Sequence, residues 1–234
     1  MSSSSLRRQL LISFSGMDGC GKSTQIDNLR LYLSDRGLSV KVLAFWDDVV
    51  VLSRGREGFV RKVYRSEEGI GSPDRPVHRR DKNVRKWYLS LVRHGLYLLD
   101  ALHLMTVIAN ARHSHADIII MDRYIYDEFA NLPLSNPVTK IFVRMIASLV
   151  PHPDIAYLLD AEPEVARARK PEYPVDFLRM NRRAYLSLAR MLGRMTVIQP
   201  LPLPQATFEV ERALARMLYT ETEPVASPIN TQSA

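Results

Sequence analysis

Cysteine is nearly absent from this sequence. Of 234 residues only Cys20 is a cysteine, so no disulfide can form within the chain, and a reducing, cytoplasmic setting is the simplest expectation. Long apolar runs are absent as well. Residues 10–14 are apolar apart from one serine, but five residues neither cross a bilayer nor form the core of a signal peptide. No membrane role is expected. Histidine is scarce, with six residues. His113-x-His115 lacks partner ligands at zinc spacing, so capping of a helix explains it better than a metal. There is no internal repeat. Glycine too is sparse, with ten residues, and three of these ten fall between positions 16 and 21.

That cluster organises the chain. Gly16-Met17-Asp18-Gly19-Cys20-Gly21-Lys22-Ser23, followed by Thr24, fits G-x-x-x-x-G-K-[ST] at every fixed position. Gly16, Gly19 and Gly21 let the backbone turn so that successive N–H groups converge on a phosphate chain. Lys22 brings a positive charge to the β- and γ-phosphates, and the Ser23 hydroxyl can ligate a bridging Mg²⁺. The flanks agree. Residues 10–14 read as a buried strand. Residues 25–35 read as a helix with Ile26, Leu29 and Leu33 on one face and Gly37 as its stop. Phosphates then meet the free N–H groups of a helix N-terminus. Cys20 reads as a small spacer, not a nucleophile.

Beyond this unit, strands and helices alternate. Residues 38–45, 117–121, 155–159 and 195–198 read as four more strands. Residues 83–115 show helical spacing with a candidate break near Gly95. Further helices are expected over 136–150, from Glu162-Pro163-Glu164, from a cap at Asp176, and over 208–219. This pattern predicts an α/β fold with a parallel five-stranded sheet and helices on both faces, a three-layer α/β/α sandwich. Ligands in such sheets bind beyond the carboxyl ends of strands, which places Trp46-Asp47-Asp48 and Asp122-Arg123-Tyr124 near the site. Asp47-Asp48 also reads as a turn or cap. One domain over 1–219 is expected, with a basic insertion at about 53–86, a short lid at about 161–175, and a disordered tail over 220–234.

The formal net charge is +7. Residues 54–86 hold eleven Lys/Arg against five Asp/Glu, a net of +6. Such a stretch can draw in a phosphorylated small molecule, contact nucleic acid, or simply be solvated. Only Phe59, Tyr64 and Trp87 are on hand to stack on bases.

Three places carry a resemblance to thymidylate kinases, a family of P-loop nucleoside monophosphate kinases. They are residues 13–24, then Asp122-Arg123-Tyr124 closing an isoleucine-rich strand, then Leu159-Asp160 with Pro163-Glu164, an arginine-bearing segment and Tyr185. The resemblance spans about residues 10–218. It implies ATP- and Mg²⁺-dependent phosphoryl transfer to a nucleoside monophosphate, with dTMP to dTDP as the default. It also implies residue roles. Gly16, Gly19, Gly21, Lys22, Ser23 and Thr24 bind the donor nucleotide, and Ser23 and Asp122 lie at the metal. Asp18 reaches the acceptor side, and Arg123 clamps the acceptor's phosphate. Since position 19 is glycine, Arg167 or Arg169 of the lid stabilises the transition state; a solvated helix face is the competing reading of both. A homodimer is implied by the resemblance alone, and Ile141, Phe142, Met145 and Ile146 either form its interface or face the core.

The departures fall on the acceptor side. The family's Arg-Glu-Pro-Gly-Gly type loop is replaced by Trp46-Asp47-Asp48. The family's serine and Ala-Tyr-Gln after Asp-Arg-Tyr are matched by Asp127, Ala130, Asn131 and Leu132. Leucine cannot hydrogen-bond a base edge. An expected arginine falls near Ala101, a loss that Arg79, Arg80 or Arg85 could offset. Two other readings follow. A P-loop kinase could act on a nucleoside, sugar or other hydroxyl acceptor, with Asp47 or Asp48 orienting the hydroxyl. A non-catalytic, nucleotide-dependent nucleic-acid-binding protein is the third.

Overall fold

The computed structural model describes residues 8–50 and 87–220. The basic stretch, with Arg79, Arg80 and Arg85, and residues 221–234 of the tail expected to be disordered lie outside the described residues, as does the Trp87 side chain; Thr220, expected to open that tail, instead ends the last helix.

The sheet has five strands: β1 (Leu10–Ser15), β2 (Val40–Ala44), β3 (Ile118–Asp122), β4 (Ile155–Leu159) and β5 (Met195–Ile198). Every pairing is parallel and the order is β2-β3-β1-β4-β5. The three inner strands carry near-continuous apolar sequence because both of their faces are covered. Leu10 to Ser15 and Ile155 to Leu159 are buried throughout. The flanking helices are α1 (Lys22–Ser34), α2 (Trp87–Arg112), α3 (Ile125–Phe129), α4 (Pro137–Leu149), α5 (Pro163–Arg169), α6 (Val175–Leu192) and α7 (Leu203–Thr220).

Several bounds differ from the sequence reading for identifiable reasons. The α2 helix runs 26 residues straight through Gly95. One glycine costs a helix interior only about 1 kcal/mol, less than packing returns. The strand expected over 38–45 ends at Ala44. Phe45–Val49 forms one wide turn in which Val50 N donates to the Phe45 carbonyl at 3.0 Å. Asn136 is a cap, not a helical residue: its side chain accepts from Val138 N at 2.9 Å, with Pro137 behind it. Asp176 is not the cap of α6. Pro174 holds that place, and Asp176 sits in the first turn, where Arg179 donates to it at 3.0 Å. The last helix begins at Leu203, five residues before the expected Phe208, because Pro204 falls in a first turn that tolerates proline.

The parallel registers decide where the chemistry lies. Phe14 pairs with Asp122, and Ser15 with Leu158. The carboxyl ends of β3, β1 and β4 therefore deliver Asp122, Gly16 and Asp160 side by side at one edge of the sheet. Among the described residues no helix is long and apolar enough to cross a membrane.

Candidate functional site

The glycine loop leaves β1 and enters α1 in the strained form its sequence allows. Gly16, Gly19 and Gly21 have φ of 143°, 81° and 96°. At Gly19 a side chain is excluded by space as well: a Cβ there would stand 2.2 Å from the Ala166 carbonyl oxygen of α5. The segment after β4 is thus packed directly on the loop. Lys22 is buried, and its ammonium donates to the Gly16 carbonyl at 2.8 Å and the Met17 carbonyl at 3.0 Å. The charge is held inside the loop's concavity. Ser23 and Thr24 stand exposed in the first turn of α1, where free N–H groups favour anions.

On the other side of the loop lies a chain of charges. Arg123 Nη2 donates to Asp18 Oδ1 at 2.5 Å, and Arg123 Nη1 donates to Asp127 Oδ1 at 3.1 Å. The guanidinium lies between two carboxylates. Burial opposes its charge, but Asp127 and Asp18 outweigh burial and hold it firmly ionised. Burial alone would raise the Asp18 carboxyl; Arg123, Lys22 and Lys170 together hold it below its ordinary value. Asp122 moves the opposite way. Burial is the largest cause, Asp127 and Asp18 add repulsion, and Lys22 and Arg123 compensate only in part, so its carboxyl is raised. Among the described residues nothing donates a hydrogen bond to the Asp122 carboxylate. A carboxylate with those surroundings gains from a cation. Among the described residues no group of three or more His, Cys, Asp or Glu side chains could hold a metal alone.

The two lid arginines separate. Arg167 Nη1 donates to the Tyr173 carbonyl at 3.1 Å. Arg169 turns to the loop: a Cβ on Gly21 would lie 3.9 Å from its Nη1. Two features were missed by reading the sequence. Asp127 is buried and accepts from Ser15 Oγ at 2.7 Å, Tyr185 OH at 2.8 Å and Tyr124 N at 3.1 Å, besides Arg123. Its spacing of four from Arg123 and its match to the family's serine position were the available signals, and neither showed this role. Arg182 grips Asp160 with two bonds of 2.8 Å and reaches Glu162 at 2.6 Å, fixing the end of β4 to α6. Nothing in the local sequence announces that pair.

The Asp47-Asp48 reading is resolved for one of its members. Asp48 Oδ2 accepts from the Ala44 backbone N–H at 2.7 Å, so it caps its own turn. Leu132 and Ala101 are both buried. Tyr185 OH joins α6 to the charged cluster through Asp127.

A glycine loop between β1 and α1, closing on a lysine at the carboxyl edge of a parallel sheet, defines a P-loop α/β protein. The comparisons are more particular. The chain is 27% identical over 222 residues to a probable thymidylate kinase of Archaeoglobus fulgidus, covering 89% of this chain and 96% of that protein. It is 25% identical over 197 residues to a probable thymidylate kinase of Methanosphaera stadtmanae, covering 82% and 90%. The crystal structure of thymidylate kinase from Ehrlichia chaffeensis matches the fold with a TM-score of 0.54 at 19% identity, covering 88% of this chain and 98% of that one. No family model matches. The likeness read from three motifs therefore extends over most of the chain.

Proposed function

We propose that this chain is a nucleotide kinase that transfers the γ-phosphoryl group of ATP to a nucleoside monophosphate, dTMP first. The observation that carries this reading is the pairing of Phe14 with Asp122. It sets a phosphate loop with its buried lysine beside a carboxylate and an arginine on the neighbouring strand. The length of the likeness to thymidylate kinases supports the same reading.

Phosphoryl transfer asks a protein to position groups and neutralise charge. The loop N–H groups and Lys22 hold the donor phosphates, with Gly16, Gly19, Gly21 and Thr24 shaping that cradle. Arg169, beside Gly21, covers the transferring group; Arg167 supports the segment that carries it. Arg123 binds the acceptor's phosphate through the edge that meets Asp18. Ser23 and Asp122 are the side chains that would hold Mg²⁺, which would supply charge neutralisation at the donor phosphates; the Asp122 carboxylate, only partly compensated by Lys22 and Arg123, fits that task.

A homodimer belongs to the same reading. On α4, Val138, Ile141, Met145 and Leu149 recur along one exposed face. Leu98, Leu99, Leu102 and Met105 are exposed on α2, which touches α4 through the rings of His94 and Phe142, 4.4 Å apart. A patch of this kind marks an interface. Ile146 instead fills the core. A cytoplasmic location completes the proposal.

The test is direct. The purified chain is incubated with ATP, Mg²⁺ and a panel of monophosphates, and ADP is measured. Stimulation by dTMP or another monophosphate is the expected result. ADP formation at the acceptor-free rate with every compound would contradict the proposal.

A further inference from the structure

We propose that Asp127 is a positioning residue, which fixes the Arg123 guanidinium in the orientation that meets an anionic acceptor. The substrate in this statement rests on the kinase reading above; the geometry does not. Arg123 has a φ of 69°, a left-handed conformation unfavourable for a residue with a Cβ. Such a residue persists only where its surroundings over-determine it. Asp127 does this from two directions. Its Oδ2 accepts the N–H of Tyr124, the residue that follows Arg123, at 3.1 Å, while its Oδ1 accepts Arg123 Nη1 at 3.1 Å. One carboxylate ties both the backbone and the side chain.

The carboxylate is itself locked. Ser15 Oγ donates to Oδ2 at 2.7 Å and Tyr185 OH to Oδ1 at 2.8 Å, so each oxygen holds two donors. The Asp127 side chain is 2% exposed, whereas Asp18, the partner on the other edge of the guanidinium, is 23% exposed. An incoming anion therefore competes with Asp18 and not with Asp127. Asp127 is the permanent holder, and Asp18 is the exchangeable partner.

The experiment compares Asp127→Asn with Tyr157→Phe in the full chain. Tyr157 OH donates to the Val210 carbonyl at 2.7 Å, a buried bond to α7 that shares no group with Arg123 or Asp127, so its loss serves as the stability control. For Asp127→Asn the KM for dTMP should rise at least about tenfold while the KM for ATP stays within about twofold. Its crystal structure should show the Arg123 guanidinium displaced from Asp18. Tyr157→Phe should lower Tm with both KM values unchanged. An unmoved Arg123 in Asp127→Asn, or a loss confined to kcat with both KM values intact, would overturn the proposal. If the wild-type chain phosphorylates no monophosphate, the kinase reading fails, and the position of Arg123 in the variant still decides the role of Asp127. If Asp127→Asn does not fold, ¹⁵N relaxation of the Arg123 guanidinium in the wild-type chain decides instead. Hindered rotation with and without dTMP is expected, and free rotation in both states would overturn the proposal.

Discussion

The two halves of the candidate site are built from different material. The half proposed for the donor is one contiguous segment, residues 16–24, and the binding groups proposed for it are largely backbone N–H. Its geometry is written into three glycines with positive φ. The acceptor half is assembled from side chains. Asp18, Ser15, Arg123, Asp127 and Tyr185 come from the loop, β1, the end of β3, α3 and α6, and their hydrogen bonds join residues up to 112 positions apart. Backbone cradles depend on conformation and tolerate changes at the free positions of the motif. Side-chain assemblies depend on charge balance: here Asp18, Asp122 and Asp127 surround Arg123 and Lys22. The donor half can therefore stay constant while the acceptor half is rebuilt for another ligand.

Substitutions can break this contrast. The largest effect is expected for Lys22→Ala. Loss of a fixed cation from a water-poor site should lower kcat at least about 100-fold with every acceptor, measured by a coupled ADP assay. Arg123→Ala comes next. A charge-assisted contact of roughly 1.5–3 kcal/mol corresponds to at least about tenfold in acceptor kcat/KM. The same variant leaves the buried Asp127 without its counter-charge and should lose about 2 kcal/mol of stability in urea, so kinetics must be read on folded enzyme. Gly19→Ala should cost about 1–3 kcal/mol through backbone strain alone, and more through the clash with the Ala166 carbonyl. Weakened ATP binding is the accompanying readout.

Asp122→Asn should have the smallest effect on stability, and of the opposite sign. The folded-state pKa of Asp122 is raised above the ordinary 3.8. The folded state thus disfavours the ionised form, and the carboxylate subtracts stability at pH 7. The variant should melt higher at pH 7. That gain should vanish as the pH falls below 3.8, where the carboxyl is protonated in both states. Activity should fall together with the gain in Tm, since this partly compensated charge is the one that would meet a cation. A lower Tm at pH 7 would show that Asp122 is a structural group.

What could be read from the chain follows the same division. The inner strands announce themselves because burial on both faces demands runs such as Ile118-Ile119-Ile120. The phosphate loop is legible because its strain requires glycine at fixed spacing. Arg123 and Asp122 are legible as strand-end residues. Asp127 is not, because its partners Ser15 and Tyr185 are brought to it only by the folded sheet. The lock between Arg182 and Asp160 is hidden for the same reason. Gly95 and Pro204 misplace boundaries because tertiary packing and first-turn tolerance override local propensity.

The division of the site is tested most directly by ATP affinity, measured by calorimetry on Lys22→Ala and Arg123→Ala side by side. Lys22→Ala should weaken ATP binding at least about tenfold, the scale of one lost charge-assisted contact. Arg123→Ala should leave it within about twofold of the wild-type chain, while losing dTMP. Equal weakening of ATP binding in both variants would place Arg123 on the donor side and contradict the account.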